Sequence, residues 1–151
     1  MMNRIIELTT EEDILLECAK MMSETEPWLS LDSNFNSYLD ALHGEYKEVY
    51  IVRDKSKVVG FALLQITETF KGYIQSICIS PERRGQGIGS ELLEFCENKI
   101  FQMSPFVFIC VSSFDTKAAK LYRKMGYKKI GEIENFIVQG YSEILLRKSM
   151  Y

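Results

Sequence analysis

The sequence predicts an α/β (α+β) fold, a mixed sheet with helices packed on both faces. Segments with strand-like composition alternate with segments whose apolar residues recur at helical spacing, in the order β-α-α-β-β-β-α-β-α-β-β. Strands joined through a helix favour a parallel or crossover pair in the middle of the sheet. Neither an internal repeat nor a Gly/Ser/Pro-rich linker interrupts the 151 residues, so residues 1–151 are read as a single domain.

Arg4–Leu8 reads as a short strand. Thr10 is the expected N-cap of a first helix, with Asp13 three residues on and an apolar stripe at Ile14, Leu15, Cys18, Ala19 and Met22. Pro27 interrupts that pattern, and a second amphipathic segment runs from about Ser33 to Leu42. Val49–Arg53 and Val58–Ile66 flank a polar turn, which is the signature of a hairpin. Tyr73–Ile79 is a further strand, rich in β-branched and aromatic residues. A basic, glycine-rich loop then opens a helix with Ile88, Leu92, Leu93, Cys96 and Ile100 along one face. Phe106–Val111 is a strongly apolar strand. The helix after it carries Ala118, Leu121, Tyr122 and Met125, and Gly126 is its expected C′ residue. Tyr127–Ile133 and Ser142–Arg147 complete the sheet.

Composition excludes several functions. With 46% apolar and 26% charged residues the chain can bury an ordinary core. A formal charge of −3 argues against nucleic acid as a partner, since such binders carry a basic excess. No apolar run approaches the ~20 residues that span a bilayer, so no membrane association is expected. Four cysteines, none in a close pair, suit buried free thiols in a reducing compartment, and a cytoplasmic location is expected. The single histidine, His43, is read as a surface residue near a helix end, and no metal site is expected.

The sharpest local signal is Arg83-Arg84-Gly85-Gln86-Gly87-Ile88-Gly89, between a strand and an amphipathic helix. Glycines let backbone approach a ligand closely, and a helix start presents free N–H groups and a positive dipole end. Two arginines add charge and donors, so the loop suits a phosphate-bearing ligand. A Walker A loop is excluded because Gly89-Ser90-Glu91 lacks the lysine. A dinucleotide fingerprint is excluded by the glycine spacing and by the absence of an acidic residue at the end of the next strand.

Arg84-Gly85-Gln86-Gly87-Ile88-Gly89 resembles the Arg/Gln-x-x-Gly-x-Gly/Ala acetyl-CoA loop of the GNAT superfamily of N-acetyltransferases, with Ile77–Glu82 as its strand-and-proline lead-in. Asp115-x-x-Ala118-x-x-Leu121-Tyr122-x-x-x-Gly126-Tyr127 resembles that superfamily's N-x-x-A-x-x-L-Y-x-x-x-G-F segment. The resemblance is clearest over residues 48–148. It implies a mostly antiparallel seven-stranded sheet with a central parallel pair and about four helices. It also implies acetyl-CoA as co-substrate. The Ile77-Cys78-Ile79 strand would meet the pantetheine arm through the backbone of Ile77 and Ile79. The loop Arg84, Gly85, Gln86, Gly87, Ile88, Gly89 and Ser90 would hold the pyrophosphate, mainly through the amides from Gln86 to Ser90. Asp115, where Asn is usual, would cap its helix beside the cofactor, with Lys117, Lys120, Arg123 and Lys124 near enough in sequence to offset its charge. Tyr122 falls at the position of the tyrosine that protonates the departing thiolate, or else packs against the sheet.

The general base is less evident. Some members that acetylate protein N-termini place a glutamate twelve residues before the tyrosine, where this chain has Cys110, read as core. Glu143, Glu134 and Glu68 are the remaining candidates, with Glu143 preferred. The acceptor is expected to be a primary amine on a small molecule, a peptide or a protein. Its determinants are sought in Thr25–Leu31 and Glu134–Tyr141, whose aromatics could equally form a lid or a homodimer contact. The rival reading is a non-catalytic acyl-CoA-binding regulatory module on the same fold.

Overall fold

The computed structural model describes residues 4–29, 31, 34–67 and 70–151. Along them run β1 (Arg4–Thr9), α1 (Glu12–Ser23), α2 (Phe35–Ala41), β2 (Lys47–Asp54), β3 (Lys57–Gln65), β4 (Tyr73–Ile79), α3 (Ile88–Ile100), β5 (Phe106–Ser112), α4 (Thr116–Lys124), β6 (Lys128–Glu134) and β7 (Ser142–Ser149). The strands form one sheet in the order β1-β2-β3-β4-β5-β7-β6, antiparallel except for β4–β5. This is the mixed, mostly antiparallel sheet with a central parallel pair that the sequence led us to expect.

Local chemistry explains most element ends. On α3 the residues Ile88, Leu92, Leu93, Cys96 and Ile100 are all buried, as their spacing requires. The side chain of Asp115 caps α4 by accepting the Ala118 amide at 3.2 Å, and Gly126, at φ +100°, ends that helix in the left-handed region. Asn34 caps α2 through the Ser37 amide; Ser33, the expected start, lies outside the described residues. Thr10 does not cap α1. Strand β1 persists to Thr9, so the helix begins only at Glu12, and Glu11 holds the N-cap position without a side-chain bond. Glu12 and Asp13 instead favour this start through the helix dipole.

Helices α1 and α2 cover one sheet face, burying Leu15, Cys18 and Met22 against Ile51, Phe61 and Leu63. Helices α3 and α4 cover the other, where Leu92, Leu93 and Ile100 meet Ile74, Ile109 and Leu146. Each such side chain, fully buried, contributes about 1.5–3 kcal/mol. Glu97 of α3 is buried too, accepting from Tyr127 Oη at 2.8 Å and Lys148 Nζ at 2.9 Å, which ties α3 to β7.

One irregularity positions everything that follows. Leu63 pairs with Ser76 and Leu64 with Ile74, so Gln75 is an extra residue in β4, a β-bulge. In a regular strand Ile74 and Cys78, four apart, would share a face. Here Ile74 belongs to the α3/α4 core and Cys78 to the α1/α2 core. At the same point the parallel ladder stops: β4 and β5 pair only at Tyr73–Phe108 and Ile74–Ile109. Beyond it the two strands part, while β5 stays paired with β7 through to Ser112.

Candidate active site

The split between β4 and β5 opens into a cavity of about 690 Å³. It is lined from the α3/α4 side by Gly87, Gly89, Ile88, Leu121 and Tyr122, and from the α1/α2 side by Met22, Trp28 and Tyr38. The cavity therefore passes through the sheet, joining spaces on both faces. Its volume lies within the ~300–1,000 Å³ of ordinary ligand pockets.

At one end of the cavity lies the loop before α3. Gly85 and Gly87 have φ of +78° and +79°, a conformation that side-chain-bearing residues rarely adopt. A Cβ at either would meet no atom within 4 Å, so their backbone faces open space. Gly87 is the N-cap and carries no capping side chain, leaving the first-turn amides of α3 without acceptors inside the helix. These features fit a pyrophosphate. The unpaired edge of β4 at Ile77 and Ile79 fits an extended arm that hydrogen-bonds as a strand.

Both arginines of the loop have protein partners. Arg83 pairs with Asp54 of the β2–β3 hairpin and donates from Nε to Gln86 Oε1 at 3.2 Å. Arg84 lines the cavity, but its Nη2 donates to the Glu26 carbonyl at 3.0 Å. Arg4, its side chain 5% exposed, reaches the Gln86 carbonyl at 3.4 Å and Glu91 at 2.7 Å. The loop is thus braced by β1, by the hairpin and by the α1–α2 connection. Gln86 and Cys78 do not line the cavity: Gln86 is turned to Arg83, and strand alternation past the bulge sends Cys78 into the α1/α2 core. Gly85, Gly87, Ile88, Gly89, Ser90, Ile77, Ile79 and Asp115 do line it, as does Lys117; Lys120, Arg123 and Lys124 do not.

Tyr122 packs against the sheet and also faces the cavity. Only 6% exposed, it packs in the α3/α4 core 5.9 Å from the Tyr127 ring, and it lines the cavity where the strands part. Burial, reinforced by Asp115, pushes its pKa well above the usual phenol value. It stays protonated across the physiological range.

Glu143 of β7 lines the same cavity; it is 8% exposed, and its Oε2 accepts the Ser112 hydroxyl at 2.5 Å. Register explains the contact, since Glu143 and Ser112 are directly opposite on β7 and β5. Burial raises the Glu143 pKa, with the Ser112 bond opposing in part. Glu134 is exposed at the end of β6 and does not line the cavity; Glu68 lies outside the described residues. Cys110 is a correction to the sequence reading. It is half-buried and lines the cavity rather than the core, because β4 no longer covers β5 at that level. Burial raises its thiol pKa above the usual value, although Tyr73 hydrogen-bonds to it. His43 is exposed just past α2, against Glu12 at 2.9 Å, where the sequence placed it.

The far wall comes from the least patterned segments. Glu26, Pro27, Trp28 and Leu31 line it from the α1–α2 connection, with Tyr38 Oη donating to the Trp28 carbonyl at 2.7 Å; Ile137 enters from the β6–β7 loop. Ser30 lies outside the described residues. Tyr73, Gln75 and Ser112 also line the cavity, and sequence reasoning missed them. Their only local signal was a place near a strand end.

The acetyltransferase (GNAT) family model matches residues 10–127. An uncharacterized N-acetyltransferase of Methanocaldococcus jannaschii is 29% identical over 101 residues, 66% of this chain and 64% of that protein. A peptidyl-lysine N-acetyltransferase of Salmonella typhimurium is 34% identical over 83 residues, 55% of this chain and 51% of its own length. The matches thus span about half to two thirds of those relatives. A solved GNAT-family structure from Desulfovibrio desulfuricans superposes with a TM-score of 0.83 over 98% of this chain and 99% of its own, at 14% identity, a likeness of fold. The chain belongs to the acetyltransferase (GNAT) family.

Proposed function

We propose that residues 1–151 act as one N-acetyltransferase domain that moves an acetyl group from acetyl-CoA to a primary amine. The observation that carries this is continuity: one cavity runs from the left-handed glycines, through the β4–β5 split, to Tyr122 and Glu143. Membership of the family supports acetyl-CoA as co-substrate. In this reading the amides from Gly87 to Ser90 hold the pyrophosphate, and the β4 edge at Ile77 and Ile79 holds the pantetheine. Bound there, acetyl-CoA supplies the acetyl thioester. Glu143 takes a proton from the attacking amine as the N–C bond forms. The C–S bond breaks, and Tyr122 Oη gives its proton to the departing sulfur, whose thiol resembles a free cysteine at pKa ≈ 8.5. Burial holds Cys110 as a thiol, so direct attack is favoured over an acyl-enzyme. The free cysteines suit a reducing, cytoplasmic setting, and no helix among the described residues is long and apolar enough to cross a membrane.

Calorimetric titration with acetyl-CoA tests the cofactor half. Micromolar binding to the native chain is expected, lost in Gly87→Glu, where a carboxylate enters the anion site. Amine-dependent release of CoA thiol then tests the transfer. Binding without turnover on any amine would make the chain an acyl-CoA-binding module, and no binding by folded protein would sink the whole reading.

A further inference from the structure

We infer that the acceptor is a monocationic amine on an aromatic or apolar body, and that Gln75 is a second anchor for its nitrogen. This rests on the transferase reading above. Two polar groups in the cavity motivate it. Glu143, buried, has the Ser112 hydroxyl against it and no ion pair among the described residues, so its ionised form calls for a cation. Gln75 Oε1 is buried with no hydrogen-bond partner among the described residues. A buried amide oxygen left in that state lowers stability, and native proteins seldom keep one without use. It sits on the bulge residue, where β4 and β5 part, and Gln75 and Glu143 line the same cavity. An ammonium carries three N–H donors, enough for the carboxylate, the amide oxygen and a water.

The surroundings define the rest of the molecule. Met22, Trp28, Leu31, Tyr38 and Ile137 line the same cavity, with Ser37 and Ser76 as polar lining residues. Such a wall accepts a ring or an alkyl body and disfavours a second ammonium, for which it offers little charge compensation. The other carboxylate on that side, Glu26, is exposed at the rim, and the Arg84 guanidinium reaches its main-chain oxygen. A second cation extended toward it would therefore meet Arg84. Polyamines are disfavoured on both counts, and an arylalkyl amine is favoured.

The test is calorimetric titration of phenethylamine into protein saturated with CoA, which cannot react, compared with spermidine. The expected result is saturable phenethylamine binding at least tenfold tighter than that of spermidine. In Gln75→Met, phenethylamine affinity falls about tenfold while CoA affinity holds, and the ligand-free variant melts no lower than the native protein. Gln75→Glu, which keeps an acceptor oxygen, restores binding. Absence of phenethylamine binding to the CoA-loaded native protein, or tighter spermidine binding, overturns the acceptor class. Undiminished binding in Gln75→Met overturns the anchor. If CoA itself does not bind, the transferase reading fails first and carries this inference with it.

Discussion

Replacing Tyr122 by Phe removes one hydroxyl and nothing else. The ring is 6% exposed and set among Tyr127 and the α3/α4 core, contacts that Phe retains. Because the burial energy of the ring is kept, the melting temperature should stay within about 3 °C, or under ~1 kcal/mol for a chain of this size. On the proposed role the proton for the leaving sulfur is lost outright, and burial has kept the phenol protonated, so no ionised fraction masks the effect. Loss of a positioned general acid lowers the rate by about 10²–10⁴, which at 1.36 kcal/mol per decade is roughly 3–5 kcal/mol of barrier. Single-turnover release of CoA thiol, with the amine saturating, isolates the chemical step from product release. Acetyl-CoA affinity should change less than threefold. A single-turnover rate within threefold of native, in a folded variant that still binds acetyl-CoA, would refute the assignment of Tyr122.

Glu143→Gln should abolish the acidic limb of the kcat/KM profile. Burial raises the native carboxyl pKa, so that limb should lie above the ordinary glutamate range. The same shift predicts a stability effect with a definite sign. The native protein is favoured while Glu143 is protonated and loses that increment as pH climbs through the raised pKa, so the variant should melt higher than native above that range and equally below it. Lys148→Ala strips the half-buried cation from Glu97, leaving a buried carboxylate with the Tyr127 hydroxyl alone. Urea unfolding should show a loss of about 2–3 kcal/mol, below the 3–5 of a fully buried pair because Lys148 is partly solvated; a change under ~0.5 kcal/mol would mean the pair is energetically idle.

Much of the local geometry around the glycine loop and α4 was legible from residues alone. Gly85 and Gly87 occupy conformations that other residues resist, Asp115 caps its own helix, and Gly126 ends it. Such features are set by steric preference and by bonds a few residues long, so they leave a local signature in sequence. The apolar stripe of α3 is legible for a related reason, since burial of one helix face must recur every three to four residues.

The end of the cavity at the β4–β5 split was decided by tertiary structure. One inserted residue, Gln75, shifts β4 by a single step, which sends Cys78 to one core and Ile77 and Ile79 toward the other, and the β4–β5 ladder ends there. Nothing in the string Ile74-Gln75-Ser76-Ile77 marks the bulge, because β3 sets the register from across the sheet. The same split uncovers Cys110, and pairing at residue 31 positions' remove brings Ser112 onto Glu143. Arg83 and Arg84 look alike in sequence, yet one is held by the hairpin and the other by the α1–α2 connection. Sequence by itself determined the order of elements and the glycine-rich turn before α3, because those depend on local periodicity and backbone freedom. The structure alone decided that Glu143 meets Ser112 in the cavity Tyr122 lines and that Gln75 Oε1 has no partner among the described residues, because those depend on register and packing between segments far apart in the chain.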